Sequence, residues 1–113
     1  MHLFFIETPV FTERVVRQSL EDAVRKLQEL LDAHPESGAL DPGTGGMRKI
    51  RIASAFRGKG KRSGARVLYL FLPAQQVIYL VFVYEKNEGD TLSVAGKRTM
   101  RAFADAIHRE WER

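Results

Sequence analysis

Two apolar runs, Arg66 to Leu72 and Val77 to Glu85, lie only four residues apart, and they constrain this chain more than any other feature. Both are nearly continuous runs of aliphatic and aromatic side chains, β-branched above all in the second, so each reads as a strand covered on both faces. The linker Pro73-Ala74-Gln75-Gln76 is too short for a crossover, which predicts an antiparallel pair joined by a tight turn. Neither run approaches the roughly 20 apolar residues of a membrane-spanning helix, and the N-terminus lacks a signal-peptide cleavage pattern. The expectation is a soluble, cytoplasmic protein with no membrane partner. At 113 residues and without cysteine, the chain fits a single domain over residues 1–113, and disulfide scaffolds and Cys-ligated zinc are excluded.

The remaining elements follow from local signals. Leu3-Phe4-Phe5-Ile6 reads as a short strand, and Thr8-Pro9 as the cap and first position of a short helix over residues 9 to 17. Ser19, with Asp22 placed as in a capping box, precedes Leu20, Val24, Leu27 and Leu31 at helical spacing. That second helix should end near His34-Pro35, because the residue before a proline is pushed out of the helical region. Pro35, Gly38, Pro42, Gly43, Gly45 and Gly46 then make a turn-rich connection. From Met47 the period changes to that of a strand, with Arg48, Ile50 and Ile52 on one side and Lys49, Arg51 and Ala53 on the other. Met100, Phe103, Ile107 and Trp111 mark a C-terminal amphipathic helix from about Ser93. The predicted order is β-α-α-β-β-β-α: an α+β fold with an antiparallel sheet, the N-terminal helices packed on one face and a helix at the C-terminus.

Charge is segregated along this framework. No Asp or Glu occurs between Asp41 and Glu85, whereas Arg48, Lys49, Arg51, Arg57, Lys59, Lys61, Arg62 and Arg66 all fall there. The formal charge of +4 thus divides into +8 in this span and −4 in the remainder. Such clustering suits a polyanionic partner, since cations near phosphates release counterions and act through a summed field. The same pattern also describes a solvated basic face. Between the first two central strands lies Phe56-Arg57-Gly58-Lys59-Gly60-Lys61-Arg62-Ser63-Gly64, a loop whose glycines permit close backbone approach to a ligand.

Cutting RNA takes more than binding it. The 2′-hydroxyl must lose a proton, charge on the pentavalent phosphorus must be stabilised, and the leaving 5′-oxygen must be protonated. His2, His34 and His108 all lie outside the basic block and read as surface or terminal residues. A lysine can replace histidine where neighbouring cations disfavour its charged form, which makes Lys59, Lys61 and Lys86 the candidates. Equally, every one of them can stay ionised and simply touch phosphates. Arg48, Lys49, Arg51, Arg57 and Arg62 supply phosphate contacts, with Tyr84 and Asn87 at a strand end as base contacts. Neither Gly43-Thr44-Gly45-Gly46 nor Gly58-Lys59-Gly60 has the Gly-Lys-Ser/Thr ending of a P-loop or dinucleotide-fingerprint spacing. No His, Asp or Glu cluster has metal-ligand spacing, so no metal or other cofactor is expected.

Taken in order, His34-Pro35-Glu36-Ser37-Gly38, Pro42-Gly43-Thr44-Gly45-Gly46-Met47-Arg48-Lys49-Ile50-Arg51, Gly58 through Val67, and Tyr84-Glu85-Lys86-Asn87-Glu88 resemble the successive motifs of HigB-type toxins in the RelE/ParE superfamily. The resemblance implies a type II toxin that enters the A site of the 70S ribosome and cuts mRNA there without a metal. It also implies neutralisation by a cognate antitoxin, a HigA-like helix-turn-helix protein, with operator DNA contacted only through that antitoxin. Carried over by position, Lys59 and Lys61 match loop lysines used for proton transfer and charge stabilisation, and Arg66 matches the strand arginine at the scissile phosphate. Lys86 becomes the fourth member of the catalytic set. Where the RelE branch has a C-terminal tyrosine, this chain reads Gly89-Asp90-Thr91-Leu92, and the histidines of some HigB branches are absent. Two other functions suit the same residues: a ParE-like inhibitor of DNA gyrase, or a non-catalytic module that binds ribosomes or RNA.

Overall fold

The computed structural model describes residues 2–53, 64–85 and 92–112. The two apolar runs form the predicted hairpin, β4 (Ala65–Leu72) and β5 (Val77–Glu85), turning through residues 73 to 76. Beside β4 lies β3 (Arg48–Ile52), antiparallel to it, and beyond that β2, only Ala39–Leu40. This last strand falls within the span that reads as turn-rich connection. At the other edge β1 (Phe4–Glu7) lies against β5, completing a five-stranded sheet in the order β1-β5-β4-β3-β2.

β1 joins β5 in parallel, so the sheet is mixed, with its antiparallel part confined to the other strands. Local pattern specifies only that Phe4 to Glu7 is a strand. Its place follows from β5, whose outer edge would otherwise expose unpaired backbone groups beside an apolar surface.

Helices cover both faces of the sheet. Both faces of β4 and β5 are apolar, and each must be buried. On the first face pack α1 (Pro9–Arg17) and α2 (Glu21–Ala33), through Phe11, Val15, Leu20, Val24, Leu27 and Leu31 against Val67, Tyr69, Ile78, Leu80 and Val83. On the second, α3 (Val94–Trp111) lays Met100, Phe103, Ala104 and Ile107 over Met47, Leu68, Leu70 and Val81. Fully burying each large apolar side chain contributes about 1.5–3 kcal/mol.

The helix starts are partly as the residues dictate. Thr8 caps α1, its hydroxyl accepting from Phe11 N at 3.1 Å while donating to Val81 O at 2.8 Å, with Pro9 in the first turn. Ser93 caps α3 by accepting from Gly96 N. Ser19, by contrast, caps nothing at the start of α2, which begins after Leu20. It sits at φ +56°, just past the end of α1, where Ser19 N donates to Val16 O and Leu20 N to Val15 O. This is the bonding of a Schellman motif, and the buried pair Val15 and Leu20 supplies its hydrophobic contact. Burying Leu20 sets the chain direction here and overrides the capping-box spelling.

Most of the motif around Pro35 is absorbed by one side chain. Tyr69 is fully buried, and its hydroxyl donates to Pro35 O at 2.8 Å and accepts from Gly38 N at 2.9 Å. A Cβ at Gly38 would stand 2.9 Å from the Tyr69 ring, so only glycine fits there. Gly43, Gly45 and Gly46 all take positive φ in the β2–β3 turn, a backbone role. Among the described residues no helix is long and apolar enough to cross a membrane.

Candidate active site

Alternation along β3 divides its cations between the two faces. Arg48 falls on the first face with Ile50 and Ile52. There its guanidinium donates to Gly38 O at 2.7 Å and Glu36 O at 3.3 Å, so it clasps the residues 36–38 turn and is not brought to the other cations. Lys49 and Arg51 belong to the second face.

Strand register then assembles a site. Arg51 is directly opposite Arg66, and Arg66 is directly opposite Tyr84, forming one row across β3, β4 and β5. The neighbouring row is Lys49, Leu68 and Phe82. Directly paired residues have Cβ atoms about 5 Å apart, and like charges so placed repel. Arginine forks at such positions can hold a phosphate bidentately. Arg66 is only 7% exposed and donates to Gly64 O at 3.1 Å, which fixes its direction. A Cβ at Gly64 would run into the Ile52 carbonyl, so close approach of β3 and β4 here requires glycine.

The second face carries Tyr84 and Phe82 because β5 contains an irregularity. Leu68 pairs with Phe82 but Tyr69 with Leu80, leaving Val81 as the extra residue of a bulge. Val81 and Phe82 consequently share a face, and every later residue is switched in phase. Without the bulge Tyr84 would face α1 and α2. Tyr84 is 3% exposed and packs beside Phe82, the ring centroids 6.1 Å apart. In this arrangement the more accessible aromatic is Phe82, which is half-buried.

Two further residues at this site carry no sequence signal. Asp41, outside the acid-free span, is buried with Oδ1 3.6 Å from Lys97 Nζ and 4.0 Å from Lys49 Nζ. Lys97 also donates to Pro42 O at 2.9 Å, so this pair of lysines joins α3 to β3 through one carboxylate. Arg14 of α1 donates from Nε to Val83 O at 2.6 Å and places its guanidinium carbon 4.7 Å from the Phe82 ring centroid. Helical periodicity marks Arg14 only as a polar position between the buried Phe11 and Val15.

Arg57, Lys59, Lys61, Arg62, Lys86 and Asn87 lie outside the described residues. Their segments are covalently attached at the same end of the sheet, beyond the row Ile52, Ala65 and Glu85. The histidines are elsewhere: His2 bonds Asp32 at 3.0 Å, His34 ends α2, and His108 is on α3.

A comparison with protein-family models finds no match. Among solved structures, the chain resembles a mutant of the toxin RelE from E. coli in the free state, with a TM-score of 0.62 and 15% sequence identity. The match covers 89% of this chain and 98% of that one. With this likeness spanning both chains, the protein has a RelE-like α+β fold.

Proposed function

We propose that this protein is the toxin of a type II toxin–antitoxin system, a HigB-type member of the RelE/ParE superfamily that cuts mRNA in the ribosomal A site. The observation that carries this proposal is the row Arg51, Arg66 and Tyr84 on a RelE-like sheet, at the end to which the Lys59/Lys61 loop and Lys86 are attached.

Arg66, aimed by its bond to Gly64 O, holds the scissile phosphate together with Arg51 and stabilises the charge that builds on phosphorus. One lysine of the pair Lys59 and Lys61 removes the 2′-proton, a role that the cations close to it in sequence favour, and the other adds positive charge. Lys86 delivers a proton to the leaving 5′-oxygen, while Lys49, Arg57, Arg62 and Asn87 hold the flanking RNA. Bonds and charges balance without a redox step: the 2′-oxygen forms a bond to phosphorus as the 5′-oxygen leaves. A site built from cations depends on the ribosome to align the 2′-oxygen for in-line attack, which is the expected source of ribosome dependence. In the cytoplasm the partner is an antitoxin of the HigA-like helix-turn-helix kind, whose acidic residues complement the basic face.

Primer extension on a defined mRNA in a reconstituted translation system tests this reading. Cuts within A-site codons that need ribosomes, and that fall about 100-fold in rate for Arg66→Ala, are expected. Equal cutting of naked RNA refutes ribosome dependence. Intact mRNA with arrested growth refutes the nuclease and favours gyrase inhibition or passive ribosome blockade.

A further inference from the structure

β1 is an outermost strand of the sheet, and its sequence carries none of the devices that usually blunt an edge. Phe4-Phe5-Ile6-Glu7 holds no proline, lysine or bulge, and Phe4 is 69% exposed, the most exposed aromatic side chain among the described residues. The ladder to β5 decides which backbone groups remain. Phe4 N donates to Gln76 O at 3.0 Å and Thr8 N to Leu80 O at 3.1 Å, so Phe4, Ile6 and Thr8 turn their backbone inward while Leu3, Phe5 and Glu7 turn theirs outward. Leu3 N is taken by Asp32 Oδ1 at 2.6 Å, which plugs the edge at that end. At the other end the chain leaves the strand at Pro9, the first residue of α1. Between these two stops, the outward N–H and C=O groups of Phe5 and Glu7 have no partner among the described residues.

Those groups are matched to themselves. An antiparallel copy of β1, placed so that Phe5 of each chain pairs with Glu7 of the other, satisfies all of them, with Ile6 facing Ile6 across a two-fold axis. Sliding the copy to set Phe5 on Phe5 would instead bring Glu7 of one chain to Leu3 of the other, against the Asp32 carboxylate. In the matched register that carboxylate comes to Pro9 of the second copy, at the positive end of α1, whose first turn carries no acidic residue of its own. On the second face Ile6 is opposite Tyr79, whose hydroxyl accepts from Trp111 Nε1 at 3.0 Å, and Phe4 and Ile6 of the two copies extend this apolar surface across the axis. The repulsive element is Glu7, since the two copies of it become diagonal neighbours at about 7–8 Å. An acidic strand from another protein would meet Glu7 and Asp32 with no such offsetting contact.

We propose that β1 is a self-association edge, through which two copies of this chain join their five-stranded sheets into one continuous sheet by antiparallel pairing of Phe5 with Glu7. The contact is independent of the nuclease reading. The row of Arg51, Arg66 and Tyr84 crosses β3, β4 and β5, so the two-fold axis at β1 lies on the opposite edge of the sheet from Arg51.

Sedimentation velocity of the full chain over a concentration series tests this, and a reversible monomer–dimer equilibrium is expected. Amide hydrogen exchange at Phe5 and Glu7 should slow as the dimer forms. Glu7→Pro removes an outward N–H that β5 does not use, and Phe4→Lys puts a charge at an exposed position; each should weaken association at least about tenfold while leaving the urea midpoint of the monomer little changed. Glu7→Gln, which removes the diagonal like charges, should tighten it. Because the chain has no cysteine, Ile6→Cys should cross-link to its own kind under mild oxidation, whereas Phe4→Cys, about 14 Å along the strands from its counterpart, should not. A chain that stays monomeric, the result if only a different protein's strand occupies this edge, overturns the proposal. So does a dimer that withstands both Glu7→Pro and Phe4→Lys, or one that cross-links through Phe4→Cys and not Ile6→Cys.

Discussion

Replacing Tyr69 by phenylalanine removes a single oxygen from the middle of the fold and strands two backbone groups. The Tyr69 hydroxyl donates to Pro35 O and accepts from Gly38 N, at 2.8 and 2.9 Å, in a fully buried position. Gly38 lies too close to the ring to admit even a methyl group, so the vacated volume has no side chain available to refill it. Two neutral hydrogen bonds contribute about 0.5–1.5 kcal/mol each, and stranding a buried donor and acceptor raises the loss, so Tyr69→Phe should cost about 2 kcal/mol. For a chain of 113 residues that corresponds to a fall of about 8 °C in melting temperature.

Urea denaturation followed by circular dichroism measures the change directly, with an unchanged m-value as the sign that only native stability moved. A pH series adds a second check. Burial raises the Tyr69 pKa above the ordinary 10.0, opposed by the Gly38 N–H and the nearby Arg48 charge. The unfolded chain therefore ionises first, and the stability Tyr69 contributes is whole below pH 10.0 and lost as pH rises through the folded-state pKa. The deficit of Tyr69→Phe should shrink in that alkaline window. A loss below about 0.5 kcal/mol at neutral pH would refute the assignment of this hydroxyl as a buried clamp.

Three other outcomes are expected. Ser19→Gly relieves a left-handed backbone conformation and should raise stability by about 1 kcal/mol, read as a higher urea midpoint; a lower midpoint contradicts the Schellman assignment. The Leu3 backbone N–H and the His2 ring hold the Asp32 pKa below 3.8, so the stability from Asp32 is present above that pH and lost on acidification through the folded value. Asp32→Asn should therefore flatten part of the acid side of a stability–pH profile, and an unchanged acid limb counts against the tether. Arg66→Lys, which retains charge but loses the planar fork, should cut A-site mRNA about tenfold more slowly with folding intact, and wild-type rates contradict a bidentate role.

Much of the framework is legible in the sequence because it is encoded by neighbours along the chain. The hairpin shows itself by its two apolar runs and a four-residue linker, α3 by its periodic apolar stripe after Ser93, and the start of α1 by Thr8-Pro9. Simple alternation along β3 is enough to separate Arg48 from Lys49 and Arg51. It does not reveal which face each group joins, and that decision turned Arg48 into a clasp for the turn near Gly38.

Pairing distant segments was left to tertiary structure. β1 lies parallel to β5 because an apolar edge far along the chain needed covering, and Ser19 is left-handed because Leu20 had to be buried beside Val15. The candidate site shows the difference most plainly. Its cations are visible in the sequence as an acid-free span, but simple alternation along β5 places Tyr84 and Phe82 wrongly, since the bulge at Val81 reverses their phase. Arg14 and Asp41 are absent from any sequence pattern. Local spacing fixes what a residue's nearest neighbours require, whereas a bulge, an edge donor or a buried ion pair depends on which surfaces compete for burial once the whole chain is packed.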